Sequence, residues 1–304
     1  MTSSTSPILQ AVAERQAAWS ATAGKLKARA DRARTVVLAL GVIGAVLETA
    51  AGTLLAEGAK AAAAWTGACC LALIPVISSR FLGRAKLELW TRARSASESF
   101  KSEAFKFRAG AAPYEDPETA ESTLHEAMSR IDVAMNDIRH ETANVDYRAK
   151  AWSARLTVAE FIEQRLLEQA CSFYRPRASR YKARSDRFRA VEFGLALVAA
   201  ALGAAAGAGL HVQVDDQPLE LAAWVAVVTT VSGAFATHAM AARYDRLVGT
   251  YLATANRLET LALRVQRTSM AVPSPAWSAF VHECEEAIST ENESWKTIWA
   301  EKLA

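Results

Sequence analysis

TVVLALGVIGAVLETAAGTLLA at residues 35–56, EGAK at 57–60 and AAAAWTGACCLALIPVISS at 61–79 decide the fold of this chain. The first stretch carries a single charge, Glu48, and the last carries none. Each is long enough for a helix to cross ~30 Å of hydrocarbon. The short polar link turns the chain straight back, and a backbone inside lipid must satisfy its own hydrogen bonds, so both crossings are expected to be helical. The arrangement returns from Phe193 to Leu210 and from Leu221 to Thr237, joined by His211 to Glu220. With interface residues included, the four spans fall at about 35–56, 61–79, 191–211 and 219–241. A buried core helix could explain one such run, but not four arranged as two pairs.

Orientation follows from the flanks, because Lys and Arg beside a span are retained in the cytoplasm. Lys25, Lys27, Arg29, Arg32 and Arg34 precede the first span, and Arg80, Arg84 and Lys86 follow the second. Arg180, Lys182, Arg184, Arg187 and Arg189 precede the third, and Arg243 and Arg246 follow the fourth. The two links hold Lys60 among acidic neighbours. Both hairpin tips therefore point outward and both termini are cytoplasmic. Trp65 and Trp224, near the outer starts of the second and fourth spans, are placed to anchor at the headgroups.

Laying residue 27 over residue 182 matches six of eight positions between Lys27–Arg34 and Lys182–Arg189 without a gap. The register continues through Ala50-Ala51-Gly52 and Ala205-Ala206-Gly207. The reading is an all-α integral membrane protein whose four transmembrane helices form two parallel-repeat hairpins with long cytoplasmic helical extensions. Residues 1–138 hold the first hairpin unit and 139–304 the second.

Outside the spans, Arg80 to Ala109 has helical apolar spacing and is expected to continue the second span. Ala111-Ala112-Pro113-Tyr114 ends it. Asp116-Pro117-Glu118 reads as the start of a helix reaching Ile138, because an acidic cap precedes a proline at the first helical position. A third helix is expected from Ala143 to about Arg189, and Ser274-Pro275 should start a last one ending near Trp299.

Composition narrows function. The 304 residues are 51% hydrophobic and 22% charged, with a formal net charge of +3, too small to argue for nucleic acid. Cys69, Cys70, Cys171 and Cys284 have no paired spacing and read as unbridged thiols. The polar Met1-Thr2-Ser3-Ser4 start suggests no cleavable signal. No phosphate loop, metal-ligand cluster or nucleophile signature is present, so no catalytic residue, metal or cofactor is expected and an enzyme is not indicated. His125 and His140 are expected at the surface.

Glu48 sits near the middle of the first span, where an ionised carboxylate costs at least ~2.5 kcal/mol unless it faces protein or water. Gly41, Gly44 and Gly52 share its small-residue face, with Thr49 beside it. Glu48, Thr49 and Gly52 are the candidate pore or ion contacts. Equally, Glu48 can be a protonated or hydrogen-bonded packing residue. Gly41, Gly44, Gly203 and Gly207 are candidate helix-packing positions. Position 203, the repeat mate of Glu48, is glycine, so one hairpin per chain would supply the acid. Thr229, Thr230, Ser232 and Thr237 with His238 form a polar stripe suited to interhelical hydrogen bonds, and Glu192 lies beside Arg189 as a natural partner.

Trp90-Thr-Arg92-Ala-Arg94-Ser-Ala-Ser-Glu98-Ser-Phe-Lys101 followed by Ala112-Pro113-Tyr114, together with Gln164-Arg165-Leu-Leu-Glu168-Gln169 and Phe173-Tyr174, resembles the SLATT family in tandem. These are two-transmembrane effector domains of bacterial nucleotide-second-messenger and SLOG sensor systems. The resemblance implies an effector that forms a pore or perturbs the membrane when an upstream sensor protein is triggered. Two readings of function stay open. The first is a homo-oligomeric channel for inorganic cations, since the four spans of one chain are few for an internal pathway. The second is a non-conducting, membrane-anchored helical scaffold that binds other proteins.

The topology is open to direct test. In a background lacking the four native cysteines, a cysteine at Gly58 is expected to react with an impermeant maleimide on intact cells, and one at Ser289 is not. Labelling of Ser289 from outside would reverse the assigned orientation.

Overall fold

Helices build the protein from end to end, as apolar segments in lipid require. The computed structural model describes residues 6–55, 57–153, 155–210, 212–214, 217–266 and 270–300. The helices are α1 (Pro7–Thr53), α2 (Glu57–Leu82), α3 (Arg84–Ala109), α4 (Ala120–Ala134), α5 (Val158–Phe161), α6 (Arg175–Gly207), α7 (Leu221–Ala242), α8 (Tyr244–Gln266) and α9 (Pro275–Ala300). Four helical stretches are long and apolar enough to cross a membrane, one in each expected place. The second hairpin tip departs from a plain turn: Val212–Val214 pairs antiparallel with Gln217–Leu219, Val212 opposite Leu219. The positions 56, 211, 215 and 216 in the links lie outside the described residues.

The chain divides into two compact units. One comprises Met1–Ala28, Arg84–Ala178 and Val248–Ala304, and is called here the polar unit; the other, Arg29–Gly83 and Ser179–Leu247, holds the spans. This is a different division from the sequence repeat, since each unit draws on both halves of the chain.

In the polar unit, α3 ends in a Schellman motif. Gly110 adopts φ of +61°, the Gly110 N–H donates to the Phe107 carbonyl (3.1 Å) and the Ala111 N–H to that of Lys106 (3.1 Å). A side chain at Gly110 would be both strained and obstructed, because a Cβ there would lie 2.7 Å from Arg155 Nη1. The following loop is held by α9: Ser278 Oγ accepts from the Ala112 N–H (3.0 Å) and donates to Glu115 (2.8 Å). The expected helix start at Asp116-Pro117-Glu118 is corrected: Asp116 accepts from the Glu118 N–H (3.0 Å) and the Thr119 hydroxyl (3.0 Å) in a turn, and α4 begins only at Ala120, with Thr119 as its N-cap. Ser274 caps α9 by accepting from the Trp277 N–H at 3.1 Å. The fully buried Trp277 donates through Nε1 to the Ala109 carbonyl (2.8 Å) and meets the Phe161 ring edge-on at 5.4 Å. Tyr114 donates its hydroxyl to Glu103, and burial followed by that contact pushes the phenol up.

The third expected helix is corrected. Residues 136–142 form a tight 3₁₀ turn, 145–153 and 155–157 are non-helical, and the helix starts only at Val158. Tertiary contacts override helical propensity there. The Leu156 N–H donates to the Arg108 carbonyl (2.8 Å) and the Arg108 guanidinium to the Ser153 carbonyl (2.9 Å), while Thr157 and Glu160 form a capping box that fixes the start. Ile162–Tyr174 then runs as a π-helix, and the wider turn gives way to α6 at Arg175. The second and cytoplasmic helices are also separate rather than continuous, with the break at Gly83 between α2 and α3.

In the span unit, glycine sets the approach of α1 to α2. Gly44 is buried, and a Cβ there would lie 2.7 Å from both Cγ and Cδ2 of Leu71 and 3.3 Å from the Gly67 carbonyl oxygen. Gly41 faces Ile74 at 3.8 Å. Two stability outcomes follow. Gly44→Val should destabilise the detergent-purified protein by about 1–3 kcal/mol through overpacking, while Gly203→Ala, where no atom lies within 4 Å, should not. Arg165→Met should cost about 3–5 kcal/mol, because it strands Glu285 in the interior, and the double change Arg165→Met with Glu285→Met should recover much of that loss. Thermal unfolding followed by circular dichroism measures both; an Arg165→Met protein as stable as the parent would contradict the second.

Candidate functional site

Inside the spans most hydroxyls are occupied by their own helix. Thr53 donates to the Thr49 carbonyl (2.8 Å), Thr66 to Ala62 (2.7 Å), Thr229 to Val225 (2.8 Å) and Thr230 to Ala226 (2.8 Å). The expected interhelical bonding by Thr229 and Thr230 is thereby corrected: each satisfies itself four residues back, the shortest route available in an apolar helix. That leaves Glu48 as the polar group its helix does not absorb. Glu48 is half-buried, and its Cγ and Oε1 lie 3.0 Å from where a Cβ on Gly67 would stand. The absence of a side chain at Gly67 is what makes room for the carboxyl between α1 and α2. Thr49 is half-buried, and Gly52 is exposed with no atom within 4 Å of an added Cβ.

The remaining candidates separate. Gly41 and Gly44 contact α2, whereas Gly203 and Gly207 are exposed, and a Cβ added at either would meet no atom within 4 Å among the described residues. None of the apolar window of the third span helix is buried. Trp65 is 75% exposed, as a lipid-facing anchor would be. Trp224 is half-buried, and its indole Nε1 has no partner among the described residues. At the opposite end of the same helix, His238 stacks on Phe188 with ring centroids 4.8 Å apart. Arg189 takes Asp245 (2.5 Å) rather than Glu192, and Ser185 donates to the other oxygen of that carboxylate (2.9 Å). His125 and His140 are exposed, and among the described residues no His, Cys, Asp and Glu cluster able to hold a metal is present. Cys69, Cys70, Cys171 and Cys284 are free thiols.

The sequence reading passed over the charges inside the polar unit. Arg165, 1% exposed, donates through Nε and Nη2 to the two oxygens of Glu285 at 2.7 and 2.5 Å. Arg94 donates to both oxygens of Glu291 at 3.2 and 3.0 Å. Burial opposes the charge on each guanidinium, but the facing carboxylate outweighs it and leaves both pKa values raised. Lys101 donates to Gln169 Oε1 at 2.9 Å, joining the two stretches whose residues carry the family resemblance. Burial, with Arg165 adding to it, holds the Lys101 ammonium below its usual value.

Against this geometry, residues 161–295 match the family model described as SMODS and SLOG-associating 2TM effector domain 1. Residues 17–122 match a second family model, a protein of unknown function, DUF4231. A search of the curated proteins and of the solved structures returned no match. Each matched stretch encloses one of the apolar hairpins, and the effector match contains α6, α7, α8 and the Arg165–Glu285 pair. Residues 161–295 thus carry a domain of the SLATT type, matched as a SMODS and SLOG-associating two-transmembrane effector domain.

Proposed function

We propose that the protein is the membrane effector of a bacterial defence or signalling system and that several copies assemble into a cation-conducting pore. The observation that carries this reading is Glu48, a carboxyl lodged in a span helix against Gly67, where lipid offers no partner. A symmetric assembly repeats that carboxyl around its axis, and a ring of carboxylates attracts cations and rejects anions. Assembly is supported by the third span helix, where Gly203 and Gly207 leave room for another backbone to come close. In this reading the membrane is the bacterial inner membrane, the tips face outward, the polar unit is cytoplasmic, and an upstream sensor acts on it. The protein performs no catalysis of its own.

Glu48→Gln keeps the shape of the side chain and removes its charge. In reconstituted bilayers under asymmetric salt, the variant should assemble as the parent does but show a reversal potential shifted toward zero and a lower cation conductance. Currents indistinguishable from the parent in both respects would remove Glu48 from the permeation path.

A further inference from the structure

Two arginines of the polar unit are almost wholly buried, Arg165 at 1% and Arg108 at 2% exposure, and they are treated very differently by their surroundings. Arg165 meets Glu285 through two charged hydrogen bonds. Arg165 and Glu98 both line a cavity of about 120 Å³, so opposite charges share that space; Arg165 Nη1 and Glu98 Oε2 are buried without a hydrogen-bond partner among the described residues. Arg108 has neutral acceptors alone: the Ser153 carbonyl (2.9 Å), the Ser153 hydroxyl (3.1 Å) and Gln164 Oε1 (2.9 Å). Its Nη1 is buried with no hydrogen-bond partner among the described residues. Burial pushes the Arg108 guanidinium down to about 10, with Glu160 opposing the shift from a distance. A desolvated cation with a spare donor and no carboxylate hydrogen-bonded to it among the described residues is an arrangement that an anion relieves.

Arg108 lines a pocket of about 350 Å³, within the size range of metabolite sites. Two more cations line it, Lys101 and Lys150, against one acid, Glu168. The guanidinium of Arg108 lies 4.9 Å from the centroid of Phe105 and 5.9 Å from that of Trp152, rings that hold its plane and also form the apolar part of the wall. Lys101, Phe105 and Arg108 occupy one stripe of α3, and the facing wall comes from the π-helix, whose wide turn brings Gln164, Glu168 and Gln169 to the same space.

We propose that this pocket binds a metabolite-sized organic anion, its phosphate or carboxylate held by Arg108, Lys101 and Lys150 and its apolar body along Phe105 and Trp152. The pocket is formed within the polar unit, and its occupancy is independent of whether the spans conduct. Isothermal titration of the purified full-length protein tests this with four probes: adenosine 5′-monophosphate as an organic phosphate, citrate as an organic carboxylate, inorganic phosphate as the acid group alone, and adenosine as a neutral body.

Saturable binding of adenosine monophosphate or citrate at about 1 mM or tighter is expected, with adenosine failing to bind. Whichever of the two organic anions binds more tightly assigns the acid group. Arg108→Lys should weaken that anion about tenfold or more, because the planar fork is lost while the charge is kept. Lys150 is exposed, so Lys150→Gln leaves the core intact and should weaken binding about threefold, an effect that added salt should reproduce in the parent. Failure of both organic anions to saturate, inorganic phosphate binding as well as either of them, or an unchanged affinity in Lys150→Gln would overturn the proposal.

Discussion

A peptide group that enters hydrocarbon finds no water to bond with, and that single constraint orders the rest of this molecule. It makes every span a helix, and it reaches the side chains as well. Thr53, Thr66, Thr229 and Thr230 each bond back to a carbonyl of their own helix, so the spans carry hydroxyls without presenting them to lipid. A carboxyl has no such local route, because it lacks a donor when ionised and reaches past the carbonyl four residues back. Glu48 is therefore accommodated by a neighbour instead, in space that Gly67 leaves empty. Gly44, one turn earlier on α1, lets the two helices come close enough for that to work.

Outside the spans the problem is reversed. Water is available, yet the polar unit buries charge, and it does so in matched pairs. Arg165 with Glu285 and Arg94 with Glu291 tie the π-helix and α3 to α9, at sequence separations that make each pair a long-range constraint. Pairs of this kind contribute little net stability compared with apolar packing of the same volume, but a misplaced partner is costly. Their effect is to penalise wrong registers of α3, α9 and the π-helix. Beside that balanced set, the neutral surroundings of Arg108 stand out as an imbalance of charge rather than a gap in packing.

The spans were legible because length and apolarity are properties of consecutive residues, and the cap at Ser274 because a cap acts within three residues. What lay beyond reach was set by distant partners. Residues 145–153 and 155–157 are non-helical, and the bonds of Ser153 and Leu156 to Arg108 help to hold them so. Arg189 has Glu192 as its sequence neighbour and Asp245 as its spatial one, more than fifty residues on. Likewise, Lys101, Phe105 and Arg108 show a helical stripe in the sequence, but that Arg108 donates to neutral oxygens of Ser153 and Gln164 is a fact of the folded state. Glu48, Gly41 and Gly44 were found because a lone acid in an apolar run and small residues at helical spacing are both local signals.

The two sequence copies show how one unit can take on different tasks. Asp31 pairs with Arg34 in the first copy, whereas in the second Asp186 pairs with Lys182 and Arg189 is released to Asp245 on α8. The matched arginines of the two copies thus meet different acids, Arg34 one of its own helix and Arg189 one of another helix. Deeper in the spans the copies part further, because Gly203 stands where the first copy has Glu48, and around Gly203 there is open space rather than a packed neighbour. Lipid tails are as apolar as the helix they bathe, so such a face gains nothing from burial as such and gains from contact only where a small residue lets another backbone come close. In the proposed assembly this separates the roles: the first hairpin brings the one carboxyl of each chain, and the second brings the smooth glycine and alanine surface along which helices can meet.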